Sequence, residues 1–136
     1  MTKKIKYIDG IRFYRSIVVG INNLISRQDY LNQINVFPVP DGDTGTNMAF
    51  TVNEILEGTS GTVSSKIGEM SQQVADLALD GARGNSGAIL AQFFVGLSES
   101  LEKKDKMSVK DFAKAFKKAS DNAWDALSDP QEGTIL

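Results

Sequence analysis

The sequence contains neither cysteine nor histidine, and these two absences narrow the chemistry before any pattern is read. Without thiols there are no disulfides and no thiolate metal sites, and a cytoplasmic setting is the expected one. Without imidazole there is no Ser-His triad, no histidine general base and no histidine-bound zinc. A bound metal would then be a hard cation with oxygen ligands, such as magnesium or calcium. Catalysis would fall to carboxylates, amides, hydroxyls, backbone N–H groups, Arg and Lys. Long apolar runs are also missing: no segment approaches the ~18 residues a membrane helix requires. The basic start Met1–Tyr7 leads into no apolar stretch with a small-residue cleavage site, so neither export nor a membrane span is expected. A net charge of -2 argues against a nucleic-acid partner, and the lysines around Lys103 and Lys117 read as a solvated helix face.

What is present fits one compact domain of 136 residues, 41% hydrophobic and 24% charged, large enough to bury a core. The apolar periodicity is helical almost throughout. Ile11, Tyr14, Ile17, Val18, Ile21, Leu24 and Ile25 recur at steps of three and four, which predicts a helix over 9–27. Further helices are expected over 46–57, 65–82, from Asn85 as N-cap into the charged cluster 102–106, and from Ser108 to Leu127. Ser108 and Asp111 form a variant of the capping box. Phe93, Phe94, Phe112, Phe116 and Trp124 fall at helical spacing and read as core. The run Val36–Val39 is broken by Pro38 and followed by Pro40, so it reads as an extended connection rather than a strand. Gly133-Thr134-Ile135-Leu136 looks like the opening of a further helix. The expected class is all-α, a helical bundle.

Two segments carry chemistry. The first is Asn35-Val36-Phe37-Pro38-Val39-Pro40-Asp41-Gly42-Asp43-Thr44-Gly45-Thr46-Asn47-Met48. Two carboxylates one residue apart, on a stiff approach to a helix start, can converge on a hard cation while helix amides face an anion. Rival motifs fail on spacing. An EF-hand counted from Asp41 needs Gly and Glu where the chain has Thr46 and Val52, and no Gly-Lys-Ser or Gly-Lys-Thr of a Walker A loop occurs. The Asp-x-Asp-x-Thr phosphatase pattern also misses, because Gly45 follows Thr44. The same residue types also make an ordinary capped turn. The second segment, Gly81-Ala82-Arg83-Gly84-Asn85-Ser86-Gly87, joins two predicted helices; it is either a phosphate-binding helix start or common helix punctuation.

Taken together, Asn35–Met48, Gly81–Gln92 and Glu132–Leu136 resemble, in order over nearly the whole chain, the amino-terminal kinase domain of the fatty acid kinase family. The wider relative is the nucleotide-binding domain of dihydroxyacetone kinase. The resemblance implies an antiparallel barrel of eight helices with nucleotide and magnesium in the loops at one rim. The chain would supply five helices and the start of a sixth, making 1–136 a nucleotide-binding kinase domain incomplete at its C-terminus that alone binds ATP or ADP poorly and transfers phosphate inefficiently. By the same resemblance Asp41 and Asp43 match acidic magnesium ligands, and Asn35 lies near a third ligand. In dihydroxyacetone kinase that third ligand is an Asp one residue closer to the pair. Thr44, Gly45, Thr46 and Asn47 match a first phosphate loop, in which relatives carry His in place of Thr44. Gly84, Asn85, Ser86 and Gly87 match a second loop, and Thr134 and Ile135 line the nucleotide pocket. With Arg83 stabilising charge beside Asp41 and Asp43, such a domain would phosphorylate a fatty acid carboxylate held by a DegV-type acyl-binding partner, together with the remaining domains of the full kinase. An ionised carboxylate needs no general base, which suits a histidine-free site. Two alternatives stand beside this: a nucleotide-binding protein of the dihydroxyacetone kinase type, and a nucleotide- or lipid-binding module without turnover.

Overall fold

The computed structural model describes residues 3–136 and is an all-α bundle. Asp9 opens the first helix, α1 (Gly10–Ser26), its carboxylate accepting from the Arg12 amide at 2.9 Å. A short α2 (Gln28–Gln33) follows at once, then α3 (Thr44–Gly58), α4 (Ile67–Asp80), α5 (Gly84–Leu101) and α6 (Val109–Trp124). The core is the shared apolar stripe of these helices, with Ile55, Ile67, Met70, Val74 and Leu101 fully enclosed. α5 lies centrally, packed on α3, α4 and α6, while α1 lies across α3 and α4.

Several boundaries differ from the sequence reading, each for a local reason. α2 is not legible as an amphipathic helix because it has fewer than two turns and buries no side chain fully. α5 begins at Gly84 rather than with Asn85 as N-cap; Arg83 takes the cap position and makes no side-chain cap bond. It ends at Leu101, short of the 102–106 cluster. There Lys103 turns the chain at φ 62 into β2 (Lys106–Met107), which pairs antiparallel with β1 (Ile8–Asp9). That two-residue ribbon is too short for a strand pattern. Val36–Val39 forms no strand, as expected, and residues 131–136 form a turn, Thr134 Oγ1 donating to Gln131 O at 2.9 Å, rather than a helix start.

The aromatic residues of the last helix are also corrected. α6 buries Ala115, Ala119 and Ala123. Opposite them is Gly96, where an added Cβ would come within 2.8 Å of the Ala119 Cα. Small residues on both helices let the backbones approach, so the alanine stripe becomes the inner face. Phe112, Phe116 and Trp124 are consequently displaced to the flank, each 40–42% exposed. Phe112 stacks on Phe116 with centroids 4.2 Å apart, and Phe116 meets Phe93 edge-on at 5.5 Å. Of the aromatics read as core, Phe94 is buried and Phe93 packs partly against it. The lysine face is laced with ion pairs, Lys104 to Asp111 and Lys118 to Glu99 at 3.2 Å and Lys117 to Asp121. No described helix is long and apolar enough to cross a membrane.

Candidate functional site

The starts of α3 and α5 lie side by side at one end of the bundle, and three glycines make that possible. Gly84 adopts φ +64, and a Cβ there would sit 2.6 Å from the Asn47 Nδ2. Only a residue without a side chain takes that conformation readily and lets the α5 start close on Asn47. One turn on, a Cβ at Gly87 would fall 2.4 Å from the Thr51 Oγ1, and Gly81 abuts Glu54 and the Thr51 carbonyl. Thr51, fully buried, ties the two segments: its hydroxyl donates to Asn47 O at 2.8 Å and accepts from the Arg83 amide at 3.2 Å. Ser86 reaches back to the Thr44 carbonyl at 3.5 Å. Two phosphate-friendly segments separated in sequence thus meet in space.

The two helix starts are not equivalent. At α3 the Asp43, Thr44 and Thr46 amides are already engaged, and the Gly45 amide alone has no acceptor among the described residues. Asn35 Oδ1 accepts from the Asp43 and Thr44 amides at 3.1 and 3.3 Å, and Asn32 Oδ1 accepts from the Thr46 amide at 3.0 Å. Gly45 is buried against α2, where a Cβ would meet the Gln28 carbonyl at 2.2 Å. At α5 the Gly87 amide returns to the Arg83 carbonyl, as a helix requires, but the amides of Gly84, Asn85 and Ser86 have no acceptor among the described residues. Uncapped N–H groups at a helix N-terminus carry the positive end of the helix dipole. α5 therefore offers an open anion cradle, while α3 offers its side chains.

Those side chains include Asp41 and Asp43, both exposed, on either side of Gly42 at φ +67. Among the described residues no three Asp, Glu, His or Cys side chains gather into one metal-holding group. A two-carboxylate set fits magnesium rather than calcium. Magnesium keeps several waters and is commonly held by one or two carboxylates plus phosphate oxygens, whereas calcium takes six to eight oxygen ligands. Asn35, proposed from the resemblance as a third ligand, holds the loop in shape: its Oδ1 binds the two amides and its Nδ2 donates to Val39 O at 3.2 Å. Arg83 lies at the α5 start with its guanidinium carbon 4.8 Å from the Phe50 ring centroid. Thr134 and Ile135 follow Gly133, where a Cβ would stand 3.8 Å from Phe37 of the loop after α2.

Sequence reasoning missed Gln28 and Asn32. Their side-chain amides both donate to the Thr46 hydroxyl, at 3.2 and 2.9 Å. The signal available was their spacing, since residues four apart share a helix face, but it carries weight only once α2 is known to be helical. A cleft of about 440 Å³ lined by Lys3, Lys4, Lys6, Arg12 and Lys106 shares no residue with the two loops. It lies beside the β1–β2 ribbon at the opposite end of the bundle, and its volume says nothing about the paired helix starts.

Fold and paired loops define an all-α domain built to present two glycine-bearing helix starts on one rim. A family model of the DAK2 domain matches residues 38–136, a span that includes both loops. The chain belongs to the DAK2 domain family and is a dihydroxyacetone-kinase-like domain. It is 46% identical over 129 residues to an uncharacterized protein of Staphylococcus saprophyticus, covering 95% of this chain and 23% of that protein. Over 132 residues it is 42% identical to an uncharacterized protein of Staphylococcus epidermidis and 40% identical to one of Staphylococcus aureus, covering 97% of this chain and 24% of each. The chain thus spans about a quarter of the length of these relatives.

Proposed function

We propose that this domain binds ATP or ADP with magnesium and serves phosphoryl transfer to a fatty acid carboxylate presented by a separate acyl-binding protein of the DegV type. One observation carries the nucleotide reading: an uncapped α5 start closes on Asn47 through Gly84, beside a loop that presents Asp41 and Asp43. The α5 amides of Gly84, Asn85 and Ser86 take phosphate oxygens, with the Ser86 hydroxyl and Asn47 near the same rim. Asp41 and Asp43 without a cation would repel a polyphosphate, so the carboxylates and phosphates require a shared divalent ion. Magnesium, when bound there, neutralises phosphate charge and polarises the transferred group. Arg83 adds a permanent positive charge one residue before the cradle. Phosphoryl transfer is chiefly positioning and charge stabilisation, and a carboxylate acceptor is already ionised, so the absence of histidine is no obstacle.

The acceptor's chain finds little room in the domain. The apolar groove between α1, α3 and α5, lined by Ile17, Ile21, Leu24, Val52, Leu90 and Phe94, holds about 130 Å³. That is well below the roughly 300 Å³ at which small-molecule sites begin. This favours an acceptor carried by a partner. The test is transfer from ATP in the full-length protein that carries this domain, with the acyl-binding partner present and acyl phosphate trapped by hydroxylamine. Trapped acyl hydroxamate supports the reading. Phosphorylation of dihydroxyacetone instead would establish a hydroxyl acceptor and overturn the fatty acid assignment, and nucleotide binding without any turnover would leave a non-catalytic module.

A further inference from the structure

The helical threonines of this chain differ in how they use their hydroxyls. Thr51 and the helix-terminal Thr59 each donate to the carbonyl four residues back, at 2.8 and 2.6 Å. Thr46 does not: among the described residues its Oγ1 has no acceptor, and it is instead approached by two donors. Asn32 Nδ2 lies at 2.9 Å and Gln28 Nε2 at 3.2 Å. The orientation of the Asn32 amide is fixed independently, because its Oδ1 accepts from the Thr46 amide at 3.0 Å and so its Nδ2 has to face the hydroxyl. A hydroxyl has two lone pairs and one hydrogen. With both lone pairs taken, the hydrogen of Thr46 is the only bonding capacity left.

We infer that Gln28 and Asn32 of α2 are positioning residues that convert the Thr46 hydroxyl into an obligate donor for an anionic oxygen, which selects a phosphate over a neutral hydroxyl at this rim. This rests on the nucleotide reading above and adds to it a polarity rule that the binding loop alone does not contain. An oxygen of a nucleoside diphosphate accepts only, so it matches a site that can only donate. A sugar or substrate hydroxyl seeking an acceptor does not find one in Thr46. Bonds from a neutral donor to a charged acceptor are the stronger kind, so the effect of losing this one is large enough to measure.

The experiment is an NMR titration of the full-length protein that carries this domain, with ADP plus magnesium and, separately, with adenosine, following the amides of Asn85 and Ser86 and fitting each affinity. Thr46→Val keeps the shape and removes the hydrogen; it should weaken magnesium-ADP about tenfold and leave adenosine unchanged. Thr46→Ser restores the donor and should bind within about threefold of the native chain. Gln28→Glu offers the hydroxyl an acceptor and should weaken ADP more than Gln28→Met, which only frees a lone pair. Native-like ADP affinity in Thr46→Val, or an equal loss for adenosine, would overturn the inference while leaving the nucleotide reading standing. If the valine variant loses helical signal, the Gln28→Glu and Gln28→Met pair decides: equal ADP affinity in the two overturns it. A native full-length protein whose Asn85 and Ser86 amides respond to neither ligand would sink the nucleotide reading itself, and this inference with it.

Discussion

At the scale of single residues, the site rests on places where a side chain is missing as much as on those where one is present. Gly87 faces the buried Thr51 hydroxyl so closely that a methyl group would fall 2.4 Å from it. Thr51 cannot easily yield, because it holds Asn47 O and the Arg83 amide at once. Gly87→Ala should therefore cost about 1–3 kcal/mol of stability as an overpacked contact, seen as a lower urea midpoint with unchanged slope. A variant as stable as the parent would mean that α3 and α5 are not in contact there. Asp41, Asp43, Gly84 and Asn85 stand out in the sequence as candidates because their types are rare together outside turns and ion sites. Their partners were not. The resemblance puts Asn35 near a third ligand, and in the structure its amide closes the loop on itself, an arrangement the residue type alone does not encode. Gln28 and Asn32 were illegible for the opposite reason, as common polar residues in a helix with no fully buried face.

At the scale of elements, the helices followed from apolar period, and their ends from capping chemistry where capping exists. Ser108 is an N-cap, as expected, and Asp9, where the first helix was expected to begin, proves to be its N-cap. The α5 cap was misplaced by two residues, Asn85 for Arg83, because the helix has no side-chain cap, the same property that leaves its amides open. The Ser108–Asp111 box is complete: the Ser108 hydroxyl accepts from the Asp111 amide at 3.1 Å and the Asp111 carboxylate accepts from the Ser108 amide at 3.0 Å. These bonds to Ser108, backbone first and hydroxyl second, with Lys104 beside them, lower the Asp111 pKa to about 2. An unfolded Asp titrates near 3.9. A carboxylate whose folded pKa is depressed stabilises the fold while ionised above the unfolded value, and loses that contribution as pH falls through the folded one. The stability gap between the parent and Asp111→Asn should be widest above pH ~4 and close toward pH ~2. Glu69, also lowered, first by the Ser64 hydroxyl and then by Lys66, is present in both proteins and cancels. A gap independent of pH in chemical denaturation would show that the Asp111 charge does not matter to the cap. The α6 aromatics show where periodicity stops informing: spacing places Phe112 and Phe116 on one stripe, but the neighbouring alanine stripe fits closer to Gly96 and becomes the inner one.

At the scale of the whole molecule, the helices run so that the loops after α2 and α4 share one rim, while the β1–β2 ribbon and the basic cleft occupy the other. The all-α class was legible because helical period dominates the sequence. The convergence of Thr44 with Ser86 was not, since 42 positions separate them in the chain and nothing local encodes that distance. It depends on Gly81, Gly84 and Gly87 lying along α3, a pattern that reads in sequence only as punctuation. The central claim is that the rim binds nucleotide phosphates through a divalent ion shared with Asp41 and Asp43. The most direct measurement is an NMR titration of the full-length protein that carries this domain with ADP, run with magnesium and again with chelator, on the parent and on the Asp41→Asn, Asp43→Asn double variant. The account predicts shifts at the Gly84, Asn85 and Ser86 amides with magnesium, their loss with chelator, and their loss in the double variant with helical signal intact. Equal shifts with chelator, or in the variant, would contradict it.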